Sequence, residues 1–249
     1  MMAMNEQTVR NLMAQLGYRG MLAEYETQCD GECPTMSFNE RFGILLQAQY
    51  DAKRSGRIRN FHQQAKFSQP FACIEDVDYA ADRKLDAGLI GELASCSFVS
   101  NRENVLVLGA SDCGKSFLGC ALGNAACRHQ VKTKHLRLAD MFNLLAKAEA
   151  EGKYLRTFND LARTPLLILD DFLVSIPTIK QVQILLELVE RREYGGSTIV
   201  CTLLHPSDWQ QRIDEKIQAN SIHARLVPNA HWIEIGGNTP MRERMGSNG

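Results

Sequence analysis

Gly109-Ala110-Ser111-Asp112-Cys113-Gly114-Lys115-Ser116 matches G-x-x-x-x-G-K-[ST] over its full length. Before it, Asn104-Val105-Leu106-Val107-Leu108 is a short apolar run suited to a buried parallel strand. After it, Phe117-Leu118-Gly119-Cys120-Ala121-Leu122 has the apolar spacing of a packed helix. Strand, glycine loop and helix in that order imply a nucleoside triphosphate site. The glycines let the backbone wrap around phosphates, with N–H groups and the positive end of the helix dipole pointing inward. The site is therefore expected to run from Gly109 to Phe117. Lys115 would reach the β- and γ-phosphates, and the Ser116 hydroxyl would ligate Mg²⁺ beside ATP.

A second stretch supplies the other half. Leu166-Leu167-Ile168-Leu169-Asp170-Asp171 is a buried strand ending in two carboxylates. In open α/β sheets ligands sit at the carboxyl ends of strands, so these acids are expected beside the glycine loop. Asp170 fits a Mg²⁺-holding role and Asp171 a role in orienting or deprotonating the attacking water. In Thr198-Ile199-Val200-Cys201-Thr202 the last hydroxyl has two readings, a γ-phosphate contact or a satisfied core threonine. Arg225 falls on a late helix; spacing alone makes it a surface arginine.

The 249 residues suffice for one α/β core and a smaller appended domain. Three segments separate. Residues 1–67 read as helical, with apolar spacing at Val9, Leu12, Leu16, Leu22 and Tyr25, then at Phe38, Phe42, Leu45, Leu46 and Tyr50. Ser37 and Glu40 form a capping box. Residues 68–103 read as a polar connection with one short helix near 86–94. From 104 to 236, strands at 104–108, 133–138, 165–170, 197–202 and 231–235 alternate with helices at 115–129, 139–150, 153–162, 178–194 and 207–213. This predicts a parallel sheet with helices on both faces. Residues 237–249 read as a flexible tail.

No apolar run is long enough to span a bilayer, and the start lacks a signal-peptide pattern, so a cytoplasmic location is expected. A net charge of −1 neither favours nor excludes nucleic acid. Among the eight cysteines, Cys29 and Cys33 are closest, but no second pair stands at zinc-site spacing. Cys113, Cys120 and Cys127 read as one buried small-residue face.

The motifs together are similar to the IstB family of transposition helper ATPases, a branch of the AAA+ superfamily near the bacterial helicase loaders. The matching stretches include Met36 to Arg41, Gly109 to Leu118, Leu166 to Phe172, Leu185-Leu186-Glu187-Leu188-Val189-Glu190-Arg191-Arg192, Ser197 to Val200, and Arg225-Leu226-Val227-Pro228-Asn229-Ala230-His231. The resemblance implies an AAA+ P-loop sheet behind a helical N-terminal DNA-binding and oligomerisation domain. It further implies an ATPase that forms homo-oligomers on double-stranded DNA and stimulates a partner transposase, with hydrolysis controlling disassembly. It places Arg225 as an arginine finger acting on a neighbouring subunit's nucleotide. The chain departs from the family pattern at Ala224, usually Asp, and at Cys201-Thr202-Leu203, usually Thr-Ser-Gln or Thr-Ser-Asn. The alternative is a helicase loader acting on single strands; a metabolic kinase is disfavoured by the lack of an acceptor-binding insert.

One basic run, Lys53, Arg54, Arg57, Arg59 and Lys66, contains five cations and, counted from Asp51, one acid. Such a run neutralises phosphates without reading sequence. Family resemblance favours DNA binding there over a solvated face. A second run from Arg128 to Arg137 leaves both readings open.

Overall fold

Strand β1 (Asn104–Gly109) shows why the chain builds a sheet covered on both sides. Val105 and Val107 pack into one core, Leu106 and Leu108 into another, and all four are buried. A strand buried on both faces reads as an unbroken apolar run rather than an alternating one. In this computed structural model, residues 5–31 and 36–237 are described. Cys33 and, beyond Gly237, the expected tail lie outside them. The chain divides into two compact units between Asn60 and Phe61.

In the first unit, α1 (Glu6–Gln15) starts at Asn5, whose side chain accepts from Thr8 N at 2.8 Å. Helix α2 (Arg19–Asp30) has its first-turn N–H groups met from far along the chain. The Gln49 side-chain oxygen accepts from Gly20 N and Met21 N at 3.1 and 3.2 Å. Those donors have no partner inside their own helix, which explains why a glutamine is buried there. Helix α3 (Phe38–Ala65) opens with the expected capping box: Glu40 Oε2 accepts from Ser37 N at 2.7 Å. Leu16, Phe38, Leu46 and Tyr50 are exposed, so the apolar pattern of this unit is only sparsely buried.

In the second unit, β1, β2 (Thr133–Arg137), β3 (Leu166–Asp170), β4 (Ser197–Thr202) and β5 (Ala230–Ile235) form one parallel sheet in the order β2-β3-β4-β1-β5. On one face lie α4 (Ala87–Ala94), α5 (Ser97–Asn101) and α6 (Lys115–Arg128). On the other lie α7 (Leu138–Ala150), α8 (Tyr154–Ala162), α9 (Ile179–Arg192) and α10 (Lys216–Leu226). Only β4 separates β1 from β3, so the two motif-bearing strand ends lie about 10 Å apart, two strand spacings.

The strands fall within a residue of the expected ranges. Two regions differ. The helix expected at 207–213 is a 3₁₀ turn, Pro206–Gln211, and the true helix there is α10. The 68–103 segment carries a second short helix, α5, and sinks Ala72, Ile90, Leu93 and Phe98 into the core. The end of α3 belongs to this unit as well, through Ala65 and then Phe67. No described helix is long and apolar enough to cross a membrane.

Candidate nucleotide site

Strand β1 stops at Gly109, where a Cβ would stand 2.6 Å from Cys113 Sγ and 2.8 Å from the Ile235 carbonyl. Only glycine lets the chain turn so close to β5. Gly114, at φ +97°, is the residue before α6 and offers no side-chain cap to its first turn. That leaves the positive helix end to an anion. Lys115 Nζ donates to the Ala110 carbonyl at 2.5 Å, which holds the ammonium over the loop. The loop is braced from outside by Arg83, 3% exposed, whose Nη2 donates to the Cys113 carbonyl at 2.7 Å. Ser111, Asp112, Gly114, Lys115 and Ser116 line a cavity of about 410 Å³, together with Gln69, Phe117, Asp171, Val174, Thr202 and Leu203.

Asp170 ends β3 at 3% exposure. Burial would raise its pKa, yet the neighbouring His135 and Ser116 side chains hold it below the ordinary carboxylate value. Its Oδ1 accepts from Asp171 N at 3.0 Å. A serine hydroxyl and a carboxylate side by side are hard oxygen donors, the pair Mg²⁺ takes beside nucleotide phosphates. The residues therefore fit the expected metal. Burial pushes the His135 pKa down, but Asp170 and Cys120 outweigh that and lift it to about 9.

Asp171 is exposed on the cavity wall and sits at φ +50°, two residues before Leu173 at φ +56°. Left-handed backbone costs a non-glycine residue about 1 kcal/mol or more and persists where surrounding contacts impose it. Here Phe172 imposes it: its N–H donates to the Cys201 carbonyl at 3.0 Å, and its ring packs 4.9 Å from Trp209. The turn thereby aims Asp171 outward, toward the loop.

Thr202 lines the same cavity, and its hydroxyl is engaged within the fold. Fully buried, its hydroxyl donates to the Phe172 carbonyl and accepts from Leu204 N, both at 3.0 Å. A threonine has one O–H to donate, and here it is used to tie β4 to the Asp171 turn. Arg225 stands apart from its own loop. It lines a second cavity of about 250 Å³ with Asn104, Arg192 and Glu193, and no described residue lines both cavities.

The basic residues sort by helix geometry. Lys53, Arg54, Arg57 and Arg59 are exposed on α3, and Lys66 is exposed just past its end. The second basic run is partly engaged within the fold, with Arg128, His129, Lys132 and Arg137 exposed. Arg128 pairs with Glu75 at 3.1 Å, Arg137 pairs with Asp140 at 2.9 Å, Lys134 donates to the Gln64 carbonyl, and His135 is buried. Arg83 and His135 are the site residues that motif reading missed. Neither stands at a telling spacing from the glycine loop; both reach it through the fold.

A family model described as IstB-like ATP binding protein matches residues 11–248. A putative insertion sequence ATP-binding protein, y4pL, from Sinorhizobium fredii is 35% identical over 92% of this chain and 94% of its own. Among solved structures, AMPPCP-bound DnaA from Aquifex aeolicus superposes with a TM-score of 0.59 at 16% identity, over 72% of this chain and 54% of that one. DnaI gives 0.58 at 18% identity, over 71% and 93%. At such identities these structures speak to the fold, a P-loop sheet of AAA+ type. A family match across nearly the whole chain, joined to this phosphate loop and paired carboxylates, makes the protein a member of the IstB-like ATP-binding family and an AAA+ ATPase.

Proposed function

We propose that this protein is an ATP-dependent transposition helper: it assembles on duplex DNA, serves a partner transposase of its insertion sequence, and lets go on hydrolysis. Membership of a family whose relatives are insertion-sequence ATP-binding proteins supports the reading. The observation that carries it is the separation of Arg225 from its own loop in a distinct cavity, as a residue acting on a neighbour's nucleotide would be placed.

In the proposed mechanism the α6 amides and Lys115 bind the phosphates, while Ser116 and Asp170 would hold Mg²⁺. Bound there, the ion supplies charge neutralisation on the β- and γ-phosphates. Asp171 orients a water and takes its proton on a carboxylate oxygen as the water oxygen bonds to the γ-phosphorus. The bond to the β-phosphate oxygen breaks, leaving ADP and phosphate. Arg225 of an adjacent copy stabilises the charge that develops. Lys53, Arg54 and Arg57, on one face of α3, hold the DNA backbone.

Electron microscopy and sedimentation of the protein with ATP, on duplex and on single-stranded DNA, test this. Ordered assemblies on duplex that dissolve as ATP is consumed are expected. Assembly on single strands alone would sink the reading in favour of a helicase loader.

A further inference from the structure

His135 is an odd residue for its place. It lies on β2 at 4% exposure, opposite Ile168 in the register, between the sheet and α6. Its ring packs 6.3 Å from Phe67. A buried ring nitrogen without a partner costs about 1–3 kcal/mol. Nε2 stands 3.4 Å from Asp170 Oδ2 at ion-pair distance, without hydrogen-bond alignment, and meets no hydrogen-bond partner among the described residues. The ring also meets the Cys120 thiol, whose sulfur lies 3.5 Å from Ser68 Oγ. A polar chain thus runs behind the phosphate loop and ends on Asp170.

The torsion that turns a carboxylate about its last bond is soft and broadly populated. The Asp171 N–H on Oδ1 and the neighbouring Ser116 hydroxyl leave the Oδ2 side of the Asp170 carboxylate to be set. A donor on Oδ2 sets it. Whether the imidazole is neutral or charged, the nitrogen facing a carboxylate carries the proton, so Nε2–H is that donor. We propose that His135 is a positioning residue of the ATPase: its charge and Nε2–H, 3.4 Å from Oδ2 of Asp170, bias the carboxylate plane and so aim its free lone pairs at Ser116 and the metal of bound Mg–ATP. The inference rests on the reading of Asp170 as a Mg²⁺ ligand. Partners that orient a metal ligand in this way are worth about ten- to a hundredfold in metal affinity when removed.

The test compares His135→Phe and His135→Gln, the second of which keeps an N–H donor near the Nε2 position, with Asp170→Asn as a control. Binding of a fluorescent ATP analogue is measured in EDTA and across a Mg²⁺ titration, with Mn²⁺ affinity of the protein–nucleotide complex read by electron paramagnetic resonance. Thermal melting checks the fold; if H135F melts early, H135L replaces it as the donor-free variant. H135F is expected to bind nucleotide normally in EDTA and to need about ten- to a hundredfold more metal, with H135Q recovering most of the loss. Normal metal dependence in H135F beside a defect in D170N would overturn the proposal and leave His135 as packing. So would an H135Q variant as defective as H135F. A D170N variant with unaltered metal dependence would instead remove the reading of Asp170 on which the inference stands.

Discussion

Arg225 is held by its own chain: Nη2 lies 3.0 Å from Glu190 Oε1, and Nε lies 3.3 Å from Glu193 Oε2 as an ion pair without hydrogen-bond alignment. Both glutamates are on or just past α9, and Arg225 Nη1 also donates to the Ser221 carbonyl at 2.9 Å. The arginine and its partners are a quarter to nearly a half exposed, at 26%, 45% and 35%. Ion pairs that wet contribute about 0–1 kcal/mol each. The stabilisation of transition-state charge by an arginine finger is several kcal/mol. The local pairs therefore do not forbid a role in trans.

From this we expect Arg225→Ala to bind ATP nearly as the wild type does and to hydrolyse it slowly. Mixed with Lys115→Ala protein, part of the hydrolysis should return, since one variant brings an intact phosphate loop and the other an intact arginine. Steady-state hydrolysis across mixing ratios measures this. No recovery, with mixed assemblies confirmed by sedimentation, would mean that Arg225 only pairs with Glu190 and Glu193.

Lys115→Ala and Asp171→Asn should separate binding from chemistry. Truncating one member of a buried charge pair costs about 2–5 kcal/mol, so ATP affinity of the lysine variant should fall roughly thirty- to several-thousandfold. Asp171 touches no phosphate in the proposed scheme. Its variant should keep ATP affinity and lose about 10²–10⁴ in hydrolysis rate, the range for a general base. Wild-type turnover in Asp171→Asn would reduce that carboxylate to a turn residue.

Much of this site is legible in the sequence, for a physical reason. A strand buried on both faces must be apolar throughout, so Val105 to Leu108 and Leu166 to Leu169 mark themselves, and the residues directly after them must lie at the sheet's carboxyl edge. Residues that act through long-range contact leave no such mark. Arg83 stands 30 positions from the Cys113 carbonyl it braces. His135 is hidden in a run of cations because burial cannot be read from residue type. Thr202 can be placed at the strand end, but not the carbonyl that accepts its hydrogen bond. The 3₁₀ turn at Pro206–Gln211 reads as helical because its apolar residues, Trp209 among them, face the core at near-helical spacing.

The division between Asn60 and Phe61 makes a prediction about truncation. Ala65 and Phe67 are buried in the ATPase core and Phe61 packs against it, although all three precede residue 68. A chain starting at Phe61 should fold and bind ATP. One starting at Ser68 loses Phe67, and removing a buried phenylalanine costs about 3–5 kcal/mol, or on the order of 10 °C in a unit of this size. Calorimetry of the two truncations decides it; equal melting temperatures would place the last turn of α3 outside the core's energetics.

The basic residues on α3 yield the last prediction. At about 100° per residue, Lys53, Arg54 and Arg57 fall within roughly 100° of arc, whereas Arg59 points well away from them. All four are exposed, and Lys53 Nζ lies 5.6 Å from the centre of the Tyr18 ring, which steadies that side chain. One face of one helix can follow a duplex backbone; a cation on the far side cannot reach the same phosphates. Replacing Lys53, Arg54 and Arg57 together with Ala should weaken binding to every duplex sequence alike. The slope of log K against log salt should shrink by about 0.9 for each phosphate that is no longer neutralised. Arg59→Ala alone should leave the slope nearly unchanged. Equal losses from the triple and the single variant would show that DNA does not lie along this face. An unchanged slope in the triple variant would return the run to an ordinary solvated surface and move the DNA site elsewhere on the protein.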